Sequence, residues 1–469
     1  MNKYTRLLSH TAILGVGTFA SKVLVFLLMP LYTRCLSTAE YSTADLITQM
    51  ANLLIPLACV GICDGLFRFT LDRDERREGV FSSGIFVLLI AGAVFLLLSP
   101  LLLLIPYFKP YVWLIVLYCL CANLHAACAQ YLRACGHMKL FAVQGLMGTA
   151  ATIFFNVLFL VGWDMGVIGY VLSVVVADAA ITLFLVLYAK LYRAVKWRLV
   201  SGKLIVEMLK YCVPLIPTTV FWWITNVSDR YMVAYFCGDA VNGLYSVAYK
   251  IPTLITLAAV VFMEAWQFSA VKDSDKAARS HFFSVVYGSY QGILFMGASV
   301  LVLLAKVFTS LMYAPDYFES WRYLPILTLA TVFSSLVTFM GSVYMVSKKS
   351  VMSFVTSLTG AGLNVVLNFL LIPRIGAYGA AIATMASYVV VYIIRVINSR
   401  RYERFCTHSF KIIVNGVLLS AQCVLMMLEV KGWIGIQILF VAAILALNSV
   451  PIIKGVFGQF GVLKIRRKK

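Results

Sequence analysis

Once the connecting segments are assigned, eight Lys, Arg, Asp or Glu residues remain inside long apolar runs of the sequence, where each could do chemistry. The bases are Lys22, Arg230 and Lys250, and the acids are Asp45, Asp64, Asp178, Asp229 and Glu264. A charge near a bilayer centre costs about 3 kcal/mol or more, so such groups face a bundle interior or a wet cavity. A cavity holding Lys22, Arg230 and Lys250 would suit a diphosphate, because Arg offers a bidentate fork and Lys a compact charge. The plainer reading is that Asp229 or another acid neutralises a neighbouring base, and the pair fixes helix packing. Asp178, near the middle of its run, is the candidate coupling-ion or proton site. Its alternative is a helix–helix hydrogen bond. Asp45 and Asp64 sit near the ends of their runs and are expected at the interface.

Two cysteine patterns carry less. Cys121, His125 and Cys128 share one helical face, a spacing that could hold a soft metal. One helix supplying three ligands without a fourth points instead to packing, and no metal is expected. Cys35 and Cys237 lie near the outer ends of two corresponding runs. A disulfide there would need their Cα atoms within bonding range, and two free thiols are expected. No nucleophile constellation, Walker loop or metalloprotease motif stands out, so neither an enzyme nor a cofactor is expected. Energy must then come from an ion gradient, the substrate gradient or a partner.

These residues are positioned by the apolar runs themselves. Of 469 residues, 62% are hydrophobic and 12% charged, against about one quarter charged in soluble proteins. A helix needs about 20 apolar residues to cross the hydrocarbon core, and lipid offers no partner for an open backbone. The runs lack the strict alternation of barrel strands. The fold class is therefore all-α integral membrane, with about 14 transmembrane helices. The expected spans are 10–33, 42–66, 80–105, 111–132, 140–162, 166–189, 211–236, 243–269, 281–305, 322–345, 351–372, 378–397, 410–428 and 433–452. The first run continues as a full-length span, which argues against a cleaved signal. The connections between runs are too short to form a soluble domain.

Charge sets the orientation. With the N-terminus inside, the inner segments hold 30 of the 39 Lys and Arg, including Arg68, Arg133, Lys139, Lys190, Lys210, Arg395, Arg400, Arg401 and Lys411. The outer segments hold Arg34, Lys109, Lys306, Arg322, Arg374 and Lys431. This bias follows the positive-inside rule and predicts cytoplasmic N- and C-termini in a multi-pass chain. It also accounts for the net charge of +20 without nucleic acid as a partner.

The sequence repeats itself. YSTADLI at Tyr41 and YSVAYKI at Tyr245 coincide at Tyr, Ser, Ala and Ile, 204 residues apart. Gly148, Asn156, Gly166 and Gly169 recur as Gly360, Asn368, Gly376 and Gly379, at separations of 212 and then 210. Two matches in order predict duplication of a six-span unit, and an even number of spans makes the halves parallel repeats. The expected organisation is a six-helix lobe over 1–200, a second over 201–405, and two added helices with a basic tail over 406–469. Transporters built this way hold substrate near the midplane.

At these residues the chain resembles a known family. SKVLVFLLMPLYTRCLSTAEYS (21–42), SDRYMVAYFCGDAVNGLYSVAYKI (228–251) and GAYGAAIAT (376–384) resemble bacterial polysaccharide and O-antigen flippases of the multidrug/oligosaccharidyl-lipid/polysaccharide exporter superfamily. The resemblance implies two six-helix lobes in a V, alternating access and a cationic cavity. It also implies a substrate: an oligosaccharide repeat unit on undecaprenyl diphosphate, moved from the inner to the outer leaflet of the bacterial cytoplasmic membrane. The products implied are capsule, O-antigen (lipopolysaccharide) or exopolysaccharide. Lys22, Arg230 and Lys250 occupy the positions the family uses for cavity cations. Fourteen spans also resemble the lipid II flippase branch, while the motifs favour polysaccharide export. A polysaccharide polymerase and chain-length proteins are implied partners.

Two other classes compete. A multidrug or cation extruder of the same superfamily would place acids in its cavity, whereas three buried bases suit an anion. A membrane polymerase or ligase would need a sizeable outer loop, and none of the outer connections is long enough to fold alone.

Overall fold

The structure, a computed structural model, describes residues 24, 26–72, 77–270, 276–346, 350–402, 405–429 and 432–466. Among them every regular element is a helix and no strand occurs. Eleven helices are long and apolar enough to cross a membrane, or twelve if one bent pair counts as a single span. The expected number of fourteen is therefore not established. Most of the first expected span, 10–33, lies outside the described residues. The described apolar stretch of the last helix, Trp433–Ser449, falls below spanning length.

The chain divides into two compact units, Met1–Val227 and Ser228–Lys469. The first contains α1 (Met29–Cys35), α2 (Thr38–Ala58), α3 (Ile62–Asp72), α4 (Arg77–Leu98), α5 (Val112–Ala134), α6 (Met138–Asn156), α7 (Gly166–Tyr188) and α8 (Gly202–Cys212). Helix α9 (Ile216–Cys237) runs into the second unit. There follow α10 (Asp239–Ala248), α11 (Thr253–Ala270), α12 (Lys276–Leu303), α13 (Ala305–Met312), α14 (Leu324–Val346) and α15 (Ser350–Ile375). The chain closes with α16 (Ala377–Ser399), α17 (Ser409–Met427) and α18 (Trp433–Arg466).

Local chemistry explains several boundaries. Helix α2 begins in a capping box: Glu40 N–H donates to Ser37 Oγ at 3.3 Å, and the Glu40 carboxylate accepts the Ser37 N–H at 2.9 Å. This satisfies two amides that a helix start leaves open. The expected span 42–66 is not straight. Pro56 lies inside α2, Val60 and Gly61 adopt φ of 52° and 67°, and α3 leaves at 50° to α2. The missing proline donor and two left-handed residues break the ladder there.

The repeat is visible in the packing. In the first unit α7 lies against α5 and α6; in the second, α16 lies against α14 and α15. Gly166 and Gly376 precede α7 and α16 with φ of 53° and 60°, a region glycine enters without steric cost. One turn later Gly169 and Gly379 are crowded. A Cβ on Gly169 would sit 2.9 Å from Met165 Cβ, and one on Gly379 would sit 2.5 Å from the Leu371 carbonyl carbon. Gly148 faces Ile181, and Gly360 faces Val391, the partners being again 210 residues apart. Tyr41, Ala44 and Ile47 are fully buried, as are Tyr245, Ala248 and Ile251.

Large apolar side chains such as Leu97, Leu104, Leu183, Phe369 and Val417 are exposed, as contact with lipid requires. The last two helices are held by amides. Asn415 and Asn448 exchange hydrogen bonds of 3.1 and 2.9 Å, while Gln422 bonds both the hydroxyl and the carbonyl of Ser299 on α12.

Candidate functional site

In the first unit three polar side chains from three packed helices meet. His125 of α5 places Nδ1 2.9 Å from Asp178 Oδ1 of α7, and Nε2 2.8 Å from Gln144 Oε1 of α6. Gln144 is 5% exposed, and His125 and Asp178 are half-buried. Both ring nitrogens thus face oxygens. A doubly protonated imidazolium donates to both; a neutral ring needs the Gln144 amide turned so that its NH₂ donates. Asp178 therefore makes a contact between α5 and α7.

The soft-metal pattern takes another form here. Both nitrogens of His125 are engaged, Cys128 is buried, and no group of metal ligands occurs among the described residues. All eleven cysteines are free thiols, Cys35 and Cys237 included.

In the second unit Asp229 of α9 is 1% exposed and collects donors. Its Oδ2 accepts the Tyr245 hydroxyl at 2.8 Å and the Tyr249 hydroxyl at 2.9 Å, and its Oδ1 accepts the Arg230 main-chain N–H at 2.9 Å. The Thr384 hydroxyl lies 3.4 Å from Oδ2 and accepts from Asn364 at 3.2 Å, and Asn368 donates to Asn364 at 2.9 Å. A polar chain thus runs from α9 through α16 to α15. Arg230 is 8% exposed, with its guanidinium 4.9 Å from the Tyr249 ring centroid, an attractive cation–π geometry. Lys250 is half-buried just beyond α10. Asp229, Arg230 and Tyr249 are thus brought together. Lys22 lies outside the described residues, as does the side chain of Glu264.

Two positions differ from expectation. Asp45, expected near the interface, is 2% exposed inside the bundle, while Asp64 is exposed. Arg395, counted from its charge with an inner connection, is 5% exposed within α16. Its guanidinium donates to Thr356 Oγ1 at 3.0 Å, the Val337 carbonyl at 2.8 Å, Ser357 Oγ at 2.9 Å and the Ser353 carbonyl at 3.2 Å. It ties α16 to α14 and α15 through neutral acceptors. The Ser353, Thr356 and Ser357 cluster across from it is the sequence signal that could have marked it.

The family described as "Polysaccharide biosynthesis protein" matches residues 7–268, more than half of the chain. Among solved structures, the lipid II flippase MurJ in an inward closed conformation is similar, with a TM-score of 0.68 at 14% identity, over 95% of this chain and 100% of that one. The inward-facing conformation of a multidrug resistance transporter of the MATE family, in the MOP superfamily, gives 0.65 at 15% identity, over 81% of this chain and 95% of that one. The MATE multidrug transporter DinF-BH in complex with R6G gives 0.59 at 19%, over 86% and 96%. At these identities the likeness is one of fold. No curated protein sequence matches the chain significantly.

Proposed function

The chain belongs to the polysaccharide biosynthesis family, and from that premise we propose that it is a flippase rather than an enzyme. It translocates an oligosaccharide repeat unit on undecaprenyl diphosphate from the inner to the outer leaflet of the bacterial cytoplasmic membrane, by alternating access, for capsule, O-antigen or exopolysaccharide synthesis. Both termini lie in the cytoplasm. Lys22, Arg230 and Lys250 bind the diphosphate, and Asp229 positions Arg230. A polysaccharide polymerase and chain-length proteins take up the product outside.

The observation that carries the reading is Arg230. A guanidinium 8% exposed in an apolar helix, over the Tyr249 ring and beside the Asp229 carboxylate, is the kind of intramembrane charge that marks a substrate pathway. Asp178, hydrogen-bonded to His125, is the proposed coupling site, with the proton as the ion. The second reading, an ion-coupled extruder of organic cations, is supported by the buried carboxylate of Asp229 and by the fold shared with multidrug transporters.

Binding of an undecaprenyl-diphosphate oligosaccharide to the purified protein, measured by native mass spectrometry, tests the assignment. Arg230→Gln is expected to weaken binding at least tenfold and Arg230→Lys less. Unchanged binding in Arg230→Gln removes Arg230 from the site, and tighter binding of lipophilic cations than of the lipid-linked sugar favours the extruder.

A further inference from the structure

Where α16 gives way to α17, a cavity of about 1100 Å³ opens against the start of α12. Arg400 and Arg401 line it after α16, with His408 from the connection, Phe410 and Lys411 from the first turn of α17, and Ser280 from α12. The connection is pinned to α12. Cys406 N–H donates to Ser284 Oγ at 2.8 Å, His408 Nε2 lies 3.2 Å from the Ser284 carbonyl oxygen, and Phe405 packs on Phe283 and Tyr287 with centroids 5.5 and 5.9 Å away.

Three independent features suit an anion. Helix α17, 19 residues long, begins at Ser409 with no side-chain cap from His408 before it, so its positive end is presented to the cavity. Lys411 Nζ is shielded from water and has no hydrogen-bond acceptor among the described residues, a state that favours a ligand oxygen. Arg400 and Arg401 are exposed, and among the described residues no acidic side chain lines the cavity. Along α17 below it Phe410, Ile413 and Val417 are 81%, 62% and 63% exposed, an apolar track on one helical face. Basic groups above an apolar track have the polarity of an anionic lipid, headgroup first and chain below.

We propose that this cavity binds the phosphate headgroup of an anionic membrane lipid, held by Lys411, Arg400, Arg401 and the α17 amides, with the lipid chain along Phe410, Ile413 and Val417. The site is separate from the transported substrate and needs only that the chain spans a membrane. Bulk phospholipid and polyprenyl phosphate share this chemistry.

The test is thermal unfolding of the purified full-length protein in detergent, titrated with phosphatidylglycerol, undecaprenyl phosphate, phosphatidylcholine and inorganic phosphate. The midpoint is expected to rise with one or both of the first two, and not with the last two. The lipid that acts identifies the source. Arg400→Gln and Arg401→Gln should each weaken the effect about fivefold, and Lys411→Met by at least that, with the lipid-free midpoint unchanged in the arginine variants. Should Lys411→Met fail to fold, the two arginine variants still decide. No rise with either anionic lipid, an equal rise with inorganic phosphate, or an undiminished rise in the arginine variants overturns the proposal.

Discussion

Removing the Asp229 carboxylate should destabilise the second unit in graded steps. Its two oxygens accept two phenolic O–H groups and one main-chain N–H at 2.8–2.9 Å. Asn keeps one acceptor oxygen. If that oxygen serves Tyr245 and Tyr249, the new NH₂ faces the Arg230 N–H, donor against donor. Such a loss costs about 1–3 kcal/mol in soluble proteins, and interhelical hydrogen bonds in membranes average about 0.6 kcal/mol, so about 1 kcal/mol is expected for Asp229→Asn. Ala leaves all three donors without their acceptor and opens a void at a site 1% exposed, so about 3 kcal/mol is expected. Tyr245→Phe removes a donor and leaves the acceptor served by Tyr249, so it should cost less than either. The assay is thermal unfolding of each purified variant in one detergent, with midpoints ordered wild type, Tyr245→Phe, Asp229→Asn, Asp229→Ala. An alanine variant as stable as wild type would refute the claim that this carboxylate organises the unit.

Other outcomes follow from single contacts. Gly379→Ala should destabilise by about 1–3 kcal/mol through overpacking against the Leu371 backbone, outweighing the gain of about 1 kcal/mol that Ala brings to a helix; a raised unfolding midpoint would contradict it. Arg395→Met should lower the midpoint because Val337 and Ser353 carbonyls and two hydroxyls lose their donor, and Arg395→Lys should recover only part, a lysine being unable to reach all four at once. Glu429, outside the spans, is held below the ordinary carboxylate range chiefly by its hydrogen bond to Lys306 and by that ammonium's charge. A depressed carboxylate pKa stabilises the fold above its unfolded value and loses that contribution as pH falls through the folded one. The stability gap between wild type and Glu429→Gln should therefore be present at neutral pH and close below about pH 4; a gap that widens in acid would be inconsistent.

Much of the fold was legible because hydropathy reports the solvent. The spans from Gly166 to Tyr188, from Leu324 to Tyr344 and from Ala377 to Ser399 lie within a few residues of their expected bounds. The glycine spacing was legible because a Cβ at Gly169 or Gly379 would meet neighbouring atoms at 2.9 or 2.5 Å. The bend at Val60 and Gly61 was not, since a left-handed valine has no composition signature. Contacts between distant residues were also hidden. His125 and Asp178 were noticed separately, 53 positions apart, and periodicity within one helix cannot pair residues on two. Arg395 was misassigned because charge near a span end reads as a loop, although its acceptors lie within the bundle.

The central claim is most directly tested by translocation itself. Proteoliposomes carrying the protein would be loaded with a fluorescent undecaprenyl-diphosphate oligosaccharide, and its appearance in the opposite leaflet followed with and without a pH gradient. Transport by the wild type that is lost in Lys22→Ala and Arg230→Gln, and uncoupled from the gradient in Asp178→Asn, is the predicted result. Proteoliposomes that move no lipid-linked sugar yet export small organic cations down the same gradient would contradict the account.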